Sequence, residues 1–160
     1  SVACEGARAL HNTTSGDSVV FRSGTPLSDG RQAIYVRTEN RSGWGEYLNG
    51  NAAVRISKGS WGGSEIINFI AVSFKKDGHA AYYDPTTDAY RNFATYDDNQ
   101  WTLVELEWRS SDQPARYRVN NGLWTDWKPI AGSGNFTDLD TVGLGFIAGG
   151  SGGVYFDTLH

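Results

Sequence analysis

A chain of 160 residues has room for one domain with a proper core, and little more. Fourteen Lys and Arg stand against 18 Asp and Glu, a formal net charge of −4. That balance lacks the clustered positive excess that phosphate-backbone binding needs, so no nucleic-acid partner is expected. No apolar run approaches the roughly 20 residues of a membrane-spanning helix, so membrane insertion is not expected either. Twenty Gly, no Met and 13% aromatics describe a turn-rich chain with many flat side chains.

Along the chain, residues 1–15 carry Val2, Ala3, Ala7, Ala9 and Leu10 without a clear period. They read as an N-terminal arm or edge strand, ahead of a single β-sandwich domain over 16–160. Cys4, the one cysteine, has no partner for an internal disulfide or a zinc site. Alternating or short apolar runs bounded by turn residues then follow as predicted strands. These cover Ser18–Arg22, Gln32–Thr38, Ala52–Ser57, Glu65–Phe74, His79–Asp84, Trp101–Trp108, Ala115–Val119, Leu123–Lys128, Thr141–Ile147 and Val154–Leu159. Such a series without helical pattern predicts an antiparallel all-β sandwich or barrel. Asn121-Gly122 gives the best hairpin signal among the separators, because both residues tolerate positive φ.

Period two also assigns faces. Val104, Leu106 and Trp108 share one face, with Glu105 and Glu107 on the other. Val142, Leu144 and Phe146 fall together, with Gly143 and Gly145 leaving a flat surface opposite. The run Ile66–Val72 is apolar on both faces, which predicts a central strand.

Chemistry-bearing residues are sparse. His11, His79 and His160 are scattered without metal-ligand spacing, and no G-x-S-x-G elbow appears. Glu105 and Glu107 lie two apart on one strand, with Cα atoms about 6.5 Å apart. That spacing is admissible for the carboxyl pair of a retaining glycosidase, and equally for the polar face of an amphipathic strand. No third carboxylate continues the alternation, since position 109 is Arg. Oxygen-rich segments Asp97-Asp98-Asn99 and Asp138-Leu139-Asp140, with Asp157 late in the chain, suit a structural Ca²⁺.

Aromatics carry the most information. Trp44, Trp61, Trp124 and Trp127 lie in or beside turns, and Tyr82 and Tyr83 adjoin the crowded Tyr90–Tyr96 region. A sugar ring stacks its C–H face on an aromatic ring while its hydroxyls bond to polar side chains, so this set predicts a glycan platform. Asn12, Asn40 and Asn135 each head an N-x-[ST] sequon, which favours an extracellular or cell-surface glycoprotein.

A second line of argument is resemblance. Lys76-Asp77-Gly78 followed by Tyr82-Tyr83-Asp84, then Trp101–Trp108, Tyr117–Asn120, Trp124–Trp127 and Val154–Asp157 make the chain similar to concanavalin A-like jelly rolls. The likeness is to the laminin-G-like and carbohydrate-binding-module kind. It implies a two-sheet antiparallel jelly-roll sandwich, usually non-catalytic, in some members with structural calcium. The leading expectation is a secreted, non-enzymatic module that binds polysaccharide or glycan through exposed aromatics. A second is a structural subunit of an extracellular fibre or surface layer, its N-terminal arm pairing with a neighbouring copy. A third is a glycoside hydrolase using Glu105 and Glu107.

Overall fold

The structure is a computed structural model and describes residues 10–12, 18–27, 29–45, 51–58, 68–109, 114–132, 139–146 and 152–158. In chain order the strands are β1 (Leu10–Asn12), β2 (Ser18–Leu27), β3 (Gly30–Glu39), β4 (Ala52–Ser57), β5 (Asn68–Phe74) and β6 (His79–Asp84). There follow β7 (Ala89–Thr95), β8 (Trp101–Trp108), β9 (Pro114–Val119), β10 (Lys128–Pro129), β11 (Ala131–Gly132), β12 (Leu139–Phe146) and β13 (Gly153–Thr158). One sheet runs β1-β13-β3-β8-β9-β10, and the other runs β2-β12-β4-β5-β6-β7 with β11 beside β5. Every pairing is antiparallel.

Apolar side chains at alternate positions build the layer between the sheets. Ile34 and Val36 of β3, Val104, Leu106 and Trp108 of β8, and Tyr117 of β9 turn inward from the first sheet. Val54 and Ile56 of β4, Ile70, Val72 and Phe74 of β5, and Leu144 and Phe146 of β12 meet them from the second. Fully burying each such side chain contributes on the order of 1.5–3 kcal/mol, which makes this layer the dominant stabilising feature. Residues 66 and 67 lie outside the described residues; from Asn68 on, the doubly apolar run lies in the middle of its sheet, as β5 is between β4 and β6. Ala71 and Ser73 on its outward face are as buried as Ile70 and Val72 on the other. Segment 128–132 crosses from one sheet to the other, pairing β10 with β9 and β11 with β5, and buries Ile130 at the crossing.

Residues 10–12 form β1 at the edge of the first sheet, paired with β13 of the same chain. Three local expectations are corrected, and the first is that β7 forms where no alternation was evident. Strand β7 is an edge strand with a mostly exposed or half-exposed pattern, which hides the period. The primed turn after β9 centres on Asn120 and Asn121, at φ 49° and 57°, one residue earlier than predicted. Gly122 N–H closes it onto Val119 C=O at 2.8 Å. Leu103 N–H and Asn120 Oδ1 (2.9 Å), with Asn120 N–H and Leu103 C=O (2.8 Å), tie that turn to β8.

The third correction concerns Leu123–Lys128, of which residues 123–127 form no strand and only Lys128 joins β10. Thr125 N–H reaches Tyr117 C=O at 2.9 Å, but the return bond goes from Tyr117 N–H to the Thr125 hydroxyl. A side chain thus replaces a backbone carbonyl and breaks the ladder. This break has a consequence for the tryptophans. In a regular strand Trp124 and Trp127, three apart, would point to opposite faces; here both reach the same side chain, Arg116.

Gly30 marks the tightest approach of backbone to core. A Cβ there would lie 2.7 Å from Cη2 and 2.9 Å from Cε2 of the buried Trp108 indole. Gly30→Ala is therefore expected to destabilise by about 1–3 kcal/mol through overpacking. Thermal unfolding reads this as a Tm lowered by several degrees; an unchanged Tm would show that the indole shifts at no cost.

Candidate functional site

The outer face of the first sheet is built by the residues that alternate with its core. On β3 these are Arg31, Ala33, Tyr35 and Arg37; on β8, Glu105 and Glu107; on β9, Arg116 and Arg118. Register places Glu107 between Arg31 and Arg116, and Glu105 between Ala33 and Arg118. Glu107 thus has a basic register partner on both neighbouring strands, and Glu105 has one on β9.

Contacts follow the register and its diagonals. Arg118 Nε and Nη2 both donate to the Glu105 carboxylate, Nη2 to Oε1 at 3.1 Å. Arg31 Nη2 donates to the same carboxylate from the diagonal position. Arg116 Nε and Nη2 hold Glu107 Oε2 at 3.1 and 2.8 Å. Arg109, just past the end of β8, brings Nη2 within 4.0 Å of Glu107 Oε1. Although its side chain points outward, Glu105 is only 3% exposed. Burial works to raise its carboxyl, and the Arg118 and Arg31 guanidiniums override that and hold it below the usual carboxylate range.

The irregular segment after β9 lays its tryptophans on this lattice. The guanidiniums of Arg118, Arg116 and Arg31 sit 4.6, 4.7 and 5.4 Å from the Trp124 ring centroid. Arg109 and Arg116 lie 4.2 and 4.6 Å from that of Trp127. Arg116 therefore contacts both indoles and Glu107 at once. A cation at these distances is attracted by the ring quadrupole by about 0.5–2 kcal/mol. Both indoles remain half-buried, so part of each stays in water. Leu123, beside Trp124, is 96% exposed. Next to this cluster an open cleft of about 490 Å³ is lined by Asp29, Gly30, Arg31, Glu107, Trp108 and Arg109.

The other residues singled out in the sequence scatter. Trp44 is buried against Phe146, with ring centroids 5.4 Å apart, and its indole is not available to a ligand. The short 3-10 turn Arg41–Gly43 folds it back under the loop. Tyr82 points inward and stacks on Tyr117 at 5.3 Å, since alternation opposes it to Tyr83. Tyr83 lies on the outer face of the other sheet, near Phe69 and Tyr90. Its hydroxyl donates to Asp88 at 2.6 Å, and that bond, with burial, pushes its pKa up to about 12. Trp61 lies outside the described residues.

The metal expectation finds no cage. Among the described residues, no group of three or more His, Cys, Asp or Glu could hold a metal ion. Asp157 is buried on β13 opposite Tyr35. Asp138 lies outside the described residues, and Asp140 belongs to β12, where its side chain is not described. Asp98 accepts from the Thr38 hydroxyl at 2.8 Å and from Arg41 N–H at 3.0 Å, which makes it a loop anchor. Of the sequons, Asn40 is exposed and its Oδ1 accepts from the Ser42 hydroxyl at 3.2 Å. Asn12 is in β1, and Asn135 lies outside the described residues.

Arg31, Arg109, Arg116 and Arg118 were missed by sequence reasoning. The signal was present: Arg116 and Arg118 repeat at period two one strand after Glu105 and Glu107. A second row on the same face was missed as well. His11, Tyr155, Arg37 and Trp101 are consecutive register partners across four strands. His11 stacks on Tyr155 at 3.8 Å, and its Nε2 lies 3.3 Å from Glu39.

Two antiparallel sheets with this strand order form a concanavalin A-like jelly roll. Among solved structures, a sialidase superposes with a TM-score of 0.63 at 10% identity, covering 94% of this chain. The chain spans only 15% of the sialidase's length. The carbohydrate-binding module CBM66 from Bacillus subtilis gives 0.51 at 11% identity, covering 91% of this chain and 81% of that one. A tetrameric galectin from the ball sponge Cinachyrella sp. gives 0.52 at 11% identity, covering 90% and 100%. No protein-family model and no curated protein sequence matches the chain.

The depressed Glu105 pKa has a defined sign in stability. Its stabilising effect is fully present above the unfolded carboxylate value, about 4.3, and is lost as pH falls through the lower folded value. Wild-type Tm should thus fall on acidification below about pH 4, and Glu105→Gln should lack that component of the fall. The variant should also be less stable at neutral pH, because it leaves Arg118 and Arg31 facing a neutral group. Parallel pH–Tm profiles for the two proteins would refute this.

Proposed function

We propose that the protein binds carbohydrate on the outer face of the β3–β8–β9 sheet. Trp124 and Trp127 are the stacking surface, and the adjoining cleft supplies partners for sugar hydroxyls. The observation that carries this reading is the pair of half-buried indoles backed by the guanidiniums of Arg116 and Arg118 beside a cleft of about 490 Å³. A volume of that order is typical of small-ligand sites. Rings fixed in place lose little freedom when a sugar settles on them. The jelly-roll scaffold shared with a carbohydrate-binding module and a galectin supports the same reading.

In this reading the protein binds without cleaving. A glycosidase acid needs a carboxyl with a raised pKa, and Glu105 is held the other way by two arginines. Glu107 is tied to Arg116 through one oxygen. In this reading the carboxylate pair supports the platform, and Glu105 is not poised as a proton donor. We place the protein outside the cell or at its surface, a reading supported by the exposed Asn40 sequon.

Titration with a panel of polysaccharides, followed by tryptophan fluorescence, is expected to give a response for at least one of them. Trp124→Ala and Trp127→Ala should each weaken that binding by about tenfold or more, while Tm stays close to wild type. Unaltered binding by the double variant would refute the site.

A further inference from the structure

Resting on the reading of this face as a carbohydrate site, we infer that its ligand is an anionic glycan. The sugar's carboxylate or sulfate would be held in the cleft between Arg31 and Arg109. The protein carries a net charge of −4, yet this site gathers four guanidiniums around two carboxylates. Glu105 is satisfied by three N–H donors from Arg118 and Arg31, and Glu107 by two from Arg116.

Arg31 and Arg109 are the two arginines that line the cleft, and both side chains are 50% exposed. Arg31 gives the carboxylates one N–H, and Arg109 approaches its carboxylate only at 4.0 Å. Each guanidinium has five donors, so most of theirs remain available among the described residues. The indoles lie beside both cations, with the guanidinium carbon of Arg109 4.2 Å from the Trp127 ring centroid and that of Arg31 5.4 Å from the Trp124 centroid. The hydrogen-bonding edge is in the guanidinium plane, which suits a planar carboxylate or a sulfate oxygen pair. With Arg116 set against Glu107 and Arg118 against Glu105, the two cleft arginines face only Asp29 in the lining, and the cluster as a whole keeps one positive charge in excess.

Two matched pairs of polymers test this: polygalacturonate against its methyl-esterified form, and dextran sulfate against dextran. The first pair reads a sugar carboxylate and the second a sulfate. At about 0.15 M salt, at least one acidic polymer should bind about tenfold or more tighter than its neutral partner. Arg109→Gln and Arg31→Gln should each erase most of that preference. Arg37→Gln, on the same face but outside the cleft, should leave it intact.

Equal binding of acidic and neutral partners, lost in Trp124→Ala, overturns the anionic assignment while the carbohydrate site stands. A preference that survives both cleft substitutions overturns it too, as does failure of both acidic polymers to bind. Binding that Trp124→Ala and Trp127→Ala leave untouched removes the site itself.

Discussion

The structure on this face depends on one arrangement: a glutamate with almost no access to water, clamped by guanidiniums from the strands on either side. Glu105 could not hold its charge there alone, because desolvation of an unpaired carboxylate costs several kcal/mol. Arg118 and Arg31 make the burial tolerable, and in doing so they lose their own freedom. Immobilised guanidiniums can then serve as a floor for aromatic rings. The order of dependence therefore runs from carboxylate to arginine to tryptophan. Removing an outer ring leaves the ion pairs in place, whereas removing the carboxylate leaves two cations without their anionic partner.

This dependence explains why the chain after β9 abandons a regular ladder. An intact strand there would send one of the two indoles into the crowded interior, where Tyr117, Tyr82 and Phe93 already pack together. By trading a backbone acceptor for the Thr125 hydroxyl, the segment turns both rings to one side. The primed turn at Asn120 and Asn121 fixes its start, and the crossing at 128–132 fixes its end. A short irregular stretch held at both ends keeps its side chains in one place without forming a strand of its own.

Period two made much of the fold legible. The inward set of β8, the central place of β5 and the antiparallel class all follow from alternation that tertiary structure had no reason to override. The edge strand β7 escaped because one face and one edge meet water, so it shows little alternation. The candidate site was half legible. Trp124 and Trp127 announce themselves by residue type, but so did Trp44, and only a three-dimensional path tells a ring under a loop from one above a sheet. The arginines were hidden for a different reason. Their meaning lies in cross-strand pairing, which is a property of two segments together and of neither alone. Glu105 and Glu107 looked like a possible catalytic pair only while their partners were out of view.

The jelly-roll scaffold by itself does not choose a ligand, since folds of this kind carry unrelated activities. What distinguishes this chain is that its polar chemistry is already committed. An acid–base catalyst needs a carboxyl whose proton is exchangeable near working pH, and an environment that balances burial against few cations. Around Glu105 the Arg118 and Arg31 guanidiniums outweigh burial and hold the carboxyl below the usual carboxylate range. The same set of guanidiniums leaves donors to spare at the cleft, where Arg31 and Arg109 are half in water. The proposed binding of an anionic sugar follows from that geometry, because the donors at the cleft and the indoles beside them would meet two different sides of one ligand.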